Sequence, residues 1–365
     1  MLAPAPPPFR LEPHGSPVPP TERAGRIADP GFGRVFTDHM AIVNYSVAEG
    51  WHDPRVVARQ PLTVDPACAV LHYAQEIFEG LKAYRQADGG YALFRPEANA
   101  QRFRNSARRM AMPELPEELF VRSLKALVAA DLAWMPDSAE GALYLRPFMI
   151  ASEAFLGVKP ATEYLYMVIA SSVGSYWKGG VRPISLWVAH QYTRAGPGGT
   201  GEAKCGGNYA TSLVAQAEAS ARGCDQVVFL DATERRWIEE LGGMNIFFVT
   251  ADGTLRTPPL TGTILPGITR DSLIAIARDE GLTVRDEPYG IDQWRADAAS
   301  GACVEAFACG TAAVVTPIGR VAGPDYAFTV GTGETGPVTS RLLDRLTAIQ
   351  RGAAPDPHGW RHELG

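Results

Sequence analysis

The chain is poor in lysine. Only Lys82, Lys125, Lys159, Lys178 and Lys204 occur, against 29 arginines, so chemistry that needs a lysine amine has few places to happen. Long apolar runs are missing too, and none reaches the roughly 20 residues that span a bilayer. The opening stretch, MLAPAPPPFRLEPHGSPVPP, lacks the apolar segment of a secretory signal. There is no basic block of the kind that tracks nucleic acid, and the net charge of −6 speaks for solubility and little more. The five cysteines, Cys68, Cys205, Cys224, Cys303 and Cys309, are odd in number and show no Cys-x-x-Cys spacing. In a chain this large, that pattern points to reduced thiols in a cytoplasmic protein rather than to a disulfide framework. Histidines are scattered. The one close pair, His358 and His362, brackets Gly359 in the tail, so no metal site is assigned.

What is present is length for two domains. The chain has 365 residues and 46% hydrophobic content, ordinary for a globular protein. Residues 1–24 are proline-rich and read as a disordered arm. Residues 25–173 read as a smaller α+β domain, with short apolar runs over 38–95 as strands of a mixed sheet. Helices are expected at 97–112, with arginines on one side, and at 116–135, with a stripe through Leu119, Val121, Leu124, Leu127 and Val128. Strands follow at 142–151 and 163–171. The glycine-rich stretch 174–186 reads as an interdomain linker, and 187–365 as a larger α/β domain. From the linker onward, strands are expected at 184–190, 226–231, 246–250, 304–308 and 313–316. Helices are expected at 209–223 (apolar stripe Leu213, Val214, Ala217), around 272–279 and at 338–351. No internal repeat is visible.

Lys204 lies in Gly-Thr-Gly-Glu-Ala-Lys-Cys-Gly-Gly-Asn-Tyr, residues 199–209, and Glu239 and Glu240 open Glu-Glu-Leu-Gly-Gly-Met-Asn at 239–245. A lysine in a tight glycine-rich turn, with a carboxylate ahead of an apolar strand, points to pyridoxal phosphate. The lysine would carry the cofactor as a Schiff base and the carboxylate would keep the pyridine nitrogen protonated. Glycines let backbone approach a flat ligand that a Cβ would obstruct. A solvated loop position is the commonest fate of a lysine, and only the glycines tell against it here. Glu239 and Glu240 fall on opposite faces of an extended segment, so one of them meets the ring; spacing does not say which. Gly196, Gly198 and Gly201 satisfy G-x-G-x-x-G, but no clear apolar strand leads into that loop and no helix opens at Gly201. A Walker A loop is excluded as well, because Ala203 precedes Lys204 and Cys205 follows it.

Two stretches suit a phosphate. Residues 265–273 lead from a tight turn into a helix, whose first N–H groups grip an anion. Residues 309–313, Cys-Gly-Thr-Ala-Ala, offer a hydroxyl and backbone donors. Among Arg95, Arg102, Arg104, Arg108 and Arg109, spacing does not select the counter-charge. Tyr144 and Arg146, in Tyr-Leu-Arg-Pro, share one strand face, as an aromatic wall with a carboxylate clamp requires.

With these motifs assembled, the chain resembles the branched-chain amino acid aminotransferases, in the fold-type IV class of pyridoxal phosphate enzymes. The matching stretches are His-Tyr-Ala-Gln-Glu-Ile-Phe-Glu-Gly-Leu-Lys-Ala-Tyr (72–84), Leu-Phe-Arg-Pro (93–96), Tyr-Leu-Arg-Pro (144–147), Lys-Cys-Gly-Gly-Asn-Tyr (204–209), Glu-Leu-Gly-Gly-Met-Asn (240–245), Leu-Pro-Gly-Ile-Thr-Arg (265–270) and Gly-Thr-Ala (310–312). They stand in the family's order and cover residues 35–365.

The resemblance implies a two-domain fold with the cofactor between the domains, the larger domain holding a barrel-like mixed sheet. It makes Lys204 the Schiff-base lysine and Glu240 the partner of the pyridine nitrogen. Tyr209 becomes the partner of the phenolic oxygen. Arg102, the N–H groups of Ile268 and Thr269, and Thr311 become the phosphate site. Tyr73, Phe78, Tyr144 and Tyr176 become the apolar pocket, Arg146 the receiver of glutamate's side-chain carboxylate, and Ala312 and Ala313 the α-carboxylate site. A homodimer is implied, with pocket residues crossing between subunits. The implied reaction is reversible amino transfer from L-leucine, L-isoleucine or L-valine to 2-oxoglutarate. Two departures stand out. Ala313 and Thr316 occupy the places of a Cys-x-x-Cys switch found in some animal members, and Gly243 stands where some relatives have threonine. D-amino acid aminotransferase and aminodeoxychorismate lyase share the fold and would keep Lys204 and Glu240. A non-catalytic phosphate carrier would need Arg102 and Thr311 but not a lysine, a tyrosine and a carboxylate around a ring.

Overall fold

Two sheets carry the chain. The computed structural model describes residues 8–138, 140–174, 176 and 180–364, and among these the strands form two nine-stranded mixed sheets. By contacts the chain separates into two compact units. One is Met1–Lys178 with Ala203–Gly206 and Gln350–Gly365; the other is Gly179–Glu202 with Gly207–Ile349.

The first unit contains β1 (Arg10–Leu11), α1 (Pro20–Ala28), β2 (Val35–Ser46), β3 (Gly50–Ala58), α2 (Ala69–Tyr73), β4 (Glu76–Phe78), β5 (Leu81–Arg85) and β6 (Tyr91–Phe94). It continues with α3 (Pro96–Arg109), α4 (Glu117–Asp131), β7 (Ala142–Ala151) and β8 (Glu163–Val173). The strand order is β1-β3-β2-β8-β7-β5-β6, followed at the edge by the last strand of the chain, while β4 pairs with β7. β7 and β8 run antiparallel in unbroken register from Ala142↔Val173 to Ala151↔Tyr164. Alternation then sorts their side chains. Leu143, Leu145, Tyr166 and Val168 join Phe103, Phe120, Leu124 and Leu127 in the core beneath α3 and α4. The opposite face gathers Met40, Ile42, Val57 and Met167, with Phe148, Ile150 and Ile169. Arg146 lies on that second face, two residues from Phe148.

Local chemistry sets the two helices. Pro96 suits the first turn of α3, where its missing N–H costs nothing, and Arg108 and Arg109 complement the C-terminal end of the dipole. Asn99, Arg102, Phe103 and Ser106 recur at helical spacing on its buried face. Arg102 and Ser106 are therefore pressed inward together.

The second unit contains β9 (Ile184–Ala189), most of α5 (Gly206–Ala210), α6 (Leu213–Ala221), β10 (Gln226–Leu230), β11 (Ile238–Leu241), β12 (Asn245–Thr250) and β13 (Leu255–Thr257). Then come α7 (Ile268–Asp279), β14 (Val284–Asp286), α8 (Ile291–Ser300), β15 (Cys303–Gly310), β16 (Val314–Ala322), β17 (Ala327–Thr329) and α9 (Pro337–Gln350). The order is β11-β10-β9-β16-β15-β12-β13-β14, with β17 on β16. Trp294 and Tyr289 close edge-to-face on Phe248, a buried aromatic triad. All five cysteines are buried and free of disulfides.

Several expectations need correction. The arm expected to be disordered is structured from residue 8 onward; residues 1–7 lie outside the described residues. β1 pairs with β3, and Asp38 accepts from the Val18 N–H at 3.1 Å and from the Trp134 indole N–H at 2.9 Å. The units change between Lys178 and Gly179, inside the expected linker 174–186, but Ala203–Gly206 and Gln350–Gly365, expected in the larger domain, belong to the first unit. There β18 (Arg361–Glu363) pairs with β6, Arg361 facing Phe94. β9 begins inside the expected linker; residues 175 and 177–179 of that stretch are outside the description. The single helix expected at 209–223 is two, because the Thr211 and Ser212 hydroxyls bond back to the Asn208 and Tyr209 carbonyls. Its stripe is also misplaced: Leu213 and Val214 are exposed, and Ala215 and Ala219 are buried.

Asp38 is the joint between the N-terminal segment and the sheet. Asp38→Ala leaves the buried Trp134 N–H without its acceptor. It should lower the unfolding free energy by about 2–3 kcal/mol. A denaturant titration checks this, and an unchanged midpoint would refute the role.

Candidate active site

The structure separates the lysines. Lys159 is exposed beside Glu153, Lys125 lies 3.3 Å from His362, and Lys178 is outside the described residues. Lys82 is buried mid-strand in β5, where burial first and Arg351 second lower its pKa to about 8. Lys204 is different in kind, because it is held by its backbone. Its N–H donates to Ser106 Oγ at 2.9 Å, its carbonyl accepts from Phe78 N at 2.9 Å, and two residues on the Gly206 N–H donates to the Glu76 carboxylate. The turn 203–206 is thus stitched to β4 and α3, and the amine stands 4.7 Å from the centre of the Phe78 ring.

The same ring meets Arg146. The guanidinium carbon is 4.9 Å from the Phe78 centroid and 5.4 Å from that of Tyr144, and Nη2 donates to the Tyr144 hydroxyl at 3.1 Å. A Cβ at Gly80 would overlap that hydroxyl, so glycine is required there. Phe32 bridges Tyr144 and Tyr176, with ring centres 5.0 and 5.1 Å away. Lys204, Phe78, Tyr144, Arg146 and Tyr176 are therefore one cluster. Tyr73 is not part of it: it is partly exposed on α2, and its hydroxyl donates to the Leu156 carbonyl.

Of the five arginines left open by spacing, burial singles out Arg102. Arg104 and Arg108 bind Glu114 near the surface, and Arg95 lies over Trp360. Arg102 is buried and forks onto the fully buried Glu79, Nε to Oε1 at 2.7 Å and Nη2 to Oε2 at 2.8 Å. It sits one turn before Ser106, the residue that holds Lys204.

In the second unit, Glu239 and Glu240 are both buried on β11, not solvated. Their surroundings differ. Glu239 accepts from the Thr263 hydroxyl, and burial raises its pKa. Glu240 Oε1 lies 2.9 Å from Arg194 Nη1 and accepts from Leu265 N at 2.9 Å. A cation and an N–H on one oxygen favour the ionised carboxylate. Tyr209, on α5, packs its ring by Gly243, where an added Cβ would make ordinary contact at 3.6 Å. Gly267 precedes α7 and leaves room for the Asn245 side chain, which bonds the Leu265 carbonyl at 3.0 Å. The first turn of α7 presents Ile268 and Thr269. Thr311, Ala312 and Ala313 form the β15–β16 turn.

These residues fit pyridoxal phosphate. In the second unit, a buried carboxylate beside a cation and an N–H is of the kind that suits a pyridinium nitrogen, and a helix N-terminus is of the kind that suits a phosphate; in the first unit, a lysine amine and a buried arginine suit an aldehyde and an anion. Sequence reasoning missed Arg194, Glu79, Ser106 and Phe32. Only Phe32 left a signal, the left-handed glycines Gly31 and Gly33 on either side of it.

The Amino-transferase class IV family matches residues 76–321. A probable branched-chain-amino-acid aminotransferase of Streptomyces coelicolor is 55% identical over 98% of this chain and 99% of its own length. The branched-chain-amino-acid aminotransferase of Mycolicibacterium smegmatis is 53% identical, covering 98% of each chain. Among solved structures, the branched-chain amino acid aminotransferase of Thermobaculum terrenum in its PLP-bound holo form aligns with a TM-score of 0.71 at 26% identity, over 89% of this chain and 98% of that one.

The Arg194–Glu240 pair has a measurable signature. Arg194→Met strands a buried carboxylate and should lower the unfolding free energy by about 3–5 kcal/mol. Adding Glu240→Gln should restore most of that loss. Denaturant titration of both variants is the check, and a double variant no more stable than the single one would exclude the pair as the cause.

Proposed function

The chain belongs to the amino-transferase class IV family, and within it we propose a fold-type IV branched-chain amino acid aminotransferase that uses pyridoxal 5'-phosphate. It transfers the amino group of L-leucine, L-isoleucine or L-valine to 2-oxoglutarate in a reversible ping-pong cycle. The observation that carries this reading is the set of relatives of that name, at 53–55% identity over nearly the whole chain. The cluster at Phe78 supports it, since a lysine amine and a carboxylate clamp share one aromatic wall.

When bound, pyridoxal phosphate supplies an electron sink for the substrate's α-carbon. The protein's residues do the rest. Lys204 holds the cofactor, and its Nζ carries the α-proton as base and then acid. Glu240, kept charged by Arg194, holds the pyridine nitrogen protonated. Tyr209 bonds the phenolic oxygen. Arg102, the N–H groups of Ile268 and Thr269, and the Thr311 hydroxyl receive the phosphate. Phe78, Tyr144 and Tyr176 form the wall for an aliphatic side chain. Arg146 receives the side-chain carboxylate of glutamate or 2-oxoglutarate, and backbone groups at Ala312 and Ala313 receive the α-carboxylate.

The working form is a homodimer in this reading. Leu71, Tyr73, Leu156 and Val158 are exposed apolar side chains, and Tyr73 stands apart from the Lys204 cluster while tied to Leu156. A second copy would cover these side chains and take Tyr73 into its own pocket. Five free buried thiols fit a cytoplasmic setting. Among the described residues, no helix is long and apolar enough to cross a membrane.

The direct test is the visible absorption of the cofactor-loaded protein on adding L-leucine without 2-oxoglutarate. Bleaching of the band is expected. An unchanged band removes leucine and favours the D-amino acid or lyase branch of the family. Arg146→Ala should cost glutamate and 2-oxoglutarate about 30- to 100-fold in kcat/KM and leucine only a few-fold; equal losses exclude the clamp. Leu156→Asp/Val158→Asp should shift the particle from dimer to monomer in sedimentation, and an unchanged dimer excludes this surface.

A further inference from the structure

Arg146 poses an electrostatic problem. Its guanidinium lies against two aromatic rings, its Nη2 has a neutral hydroxyl as partner, and its Nε is buried without an acceptor. The Lys204 amine stands on the same Phe78 ring. A substrate carboxylate would balance Arg146 directly. A leucine side chain would not, and then the charge has to be offset from within the protein.

Glu76 is placed to do this. β4 pairs antiparallel with β7, Glu76 opposite Ile150 and Phe78 opposite Phe148. Arg146 precedes these partners by four and two residues, so alternation puts Glu76, Phe78 and Arg146 on one face of the sheet. The Glu76 carboxylate accepts the Gly206 N–H, and a Cβ at Gly206 would overlap it. Burial raises the pKa of Glu76, while the Gly206 N–H and the charge of Arg146 pull it back toward the ionised form.

We propose that Glu76 is a positioning residue that sets substrate preference, its carboxylate being the resident counter-charge of Arg146. This rests on the aminotransferase reading above. With an aliphatic side chain in the pocket, Glu76 keeps Arg146 tolerable in a largely apolar setting. With a dicarboxylate, Glu76 competes with the incoming anion for the charge of Arg146 and holds its affinity down. One carboxylate thereby lets one pocket accept both classes of side chain. It also fixes the turn after Lys204, so lysine and clamp are tied to the same residue.

Glu76→Gln tests the charge while keeping an oxygen for the Gly206 N–H. The probes are glutarate and 4-methylpentanoate, titrated into cofactor-loaded protein by calorimetry. The variant should bind glutarate about three- to tenfold more tightly, as expected for removing one charge near a partly solvated ion pair. Its affinity for 4-methylpentanoate should stay level or fall. In an Arg146→Met background, Glu76→Gln should leave the ratio of the two affinities unchanged. Glu76→Asp, which keeps the charge but shortens the reach to Gly206, should retain a ratio close to the parent's. Equal shifts for both probes, or a ratio change that persists without Arg146, would overturn the proposal. The two readings fail separately. If the parent enzyme does not transaminate leucine, the aminotransferase reading falls and this inference with it. If the parent does so and Glu76→Gln leaves the ratio unmoved, only the role of Glu76 falls.

Discussion

The buried arginines described above had to be made compatible with burial, and carboxylates are how the fold does it. Arg102 is forked onto Glu79, and Arg194 is set on Glu240. Arg146 feels Glu76 through space. A buried charge without an answering charge costs several kcal/mol, so these pairs fix where each group can sit. They add little net stability, since well-packed apolar side chains would serve about as well. What they secure is position: a carboxylate at β11 and guanidinium groups on α3 and β7.

Glu239 and Glu240 show how much a neighbour decides. They are adjacent, both buried and chemically identical. One is pushed up in pKa by burial, against the pull of a single hydroxyl; the other receives an arginine and an N–H. No local feature of the sequence separates them. The distinction is made by Arg194, which lies 46 positions earlier by residue number and reaches β11 only once the sheet has formed.

That contrast marks the limit of what the chain revealed before folding. Periodicity located α3, α4, β7 and β8 closely, because each buries one face over many residues and the pattern is repeated often enough to read. The glycine-rich setting of Lys204 and the Tyr144/Arg146 pair were visible because close approach and alternation leave a local mark. Partners contributed from afar left none: Glu79 for Arg102, Ser106 for Lys204, Arg194 for Glu240. Leu213 and Val214 misled for the opposite reason. Their apolar character reads as core, yet both are exposed, and alanines fill the contact instead. The proline-rich start misled because composition says nothing of acceptors such as Asp38, which lie elsewhere in the chain.

β18 has a consequence for how the protein is made. It pairs with β6, on the edge of the first sheet, yet it is among the last residues of the chain. The four residues Ala203–Gly206, which carry Lys204, also belong to that first unit, although they follow 202 others in the sequence. On the ribosome, the first sheet therefore emerges with β6 as an open edge and with no lysine loop stitched to β4 and α3. The lysine turn can be stitched in once residues 203–206 have been made, whereas the β6 edge stays open until β18 has been made. The unit whose strands are translated first is therefore closed only after most of the second unit has been made.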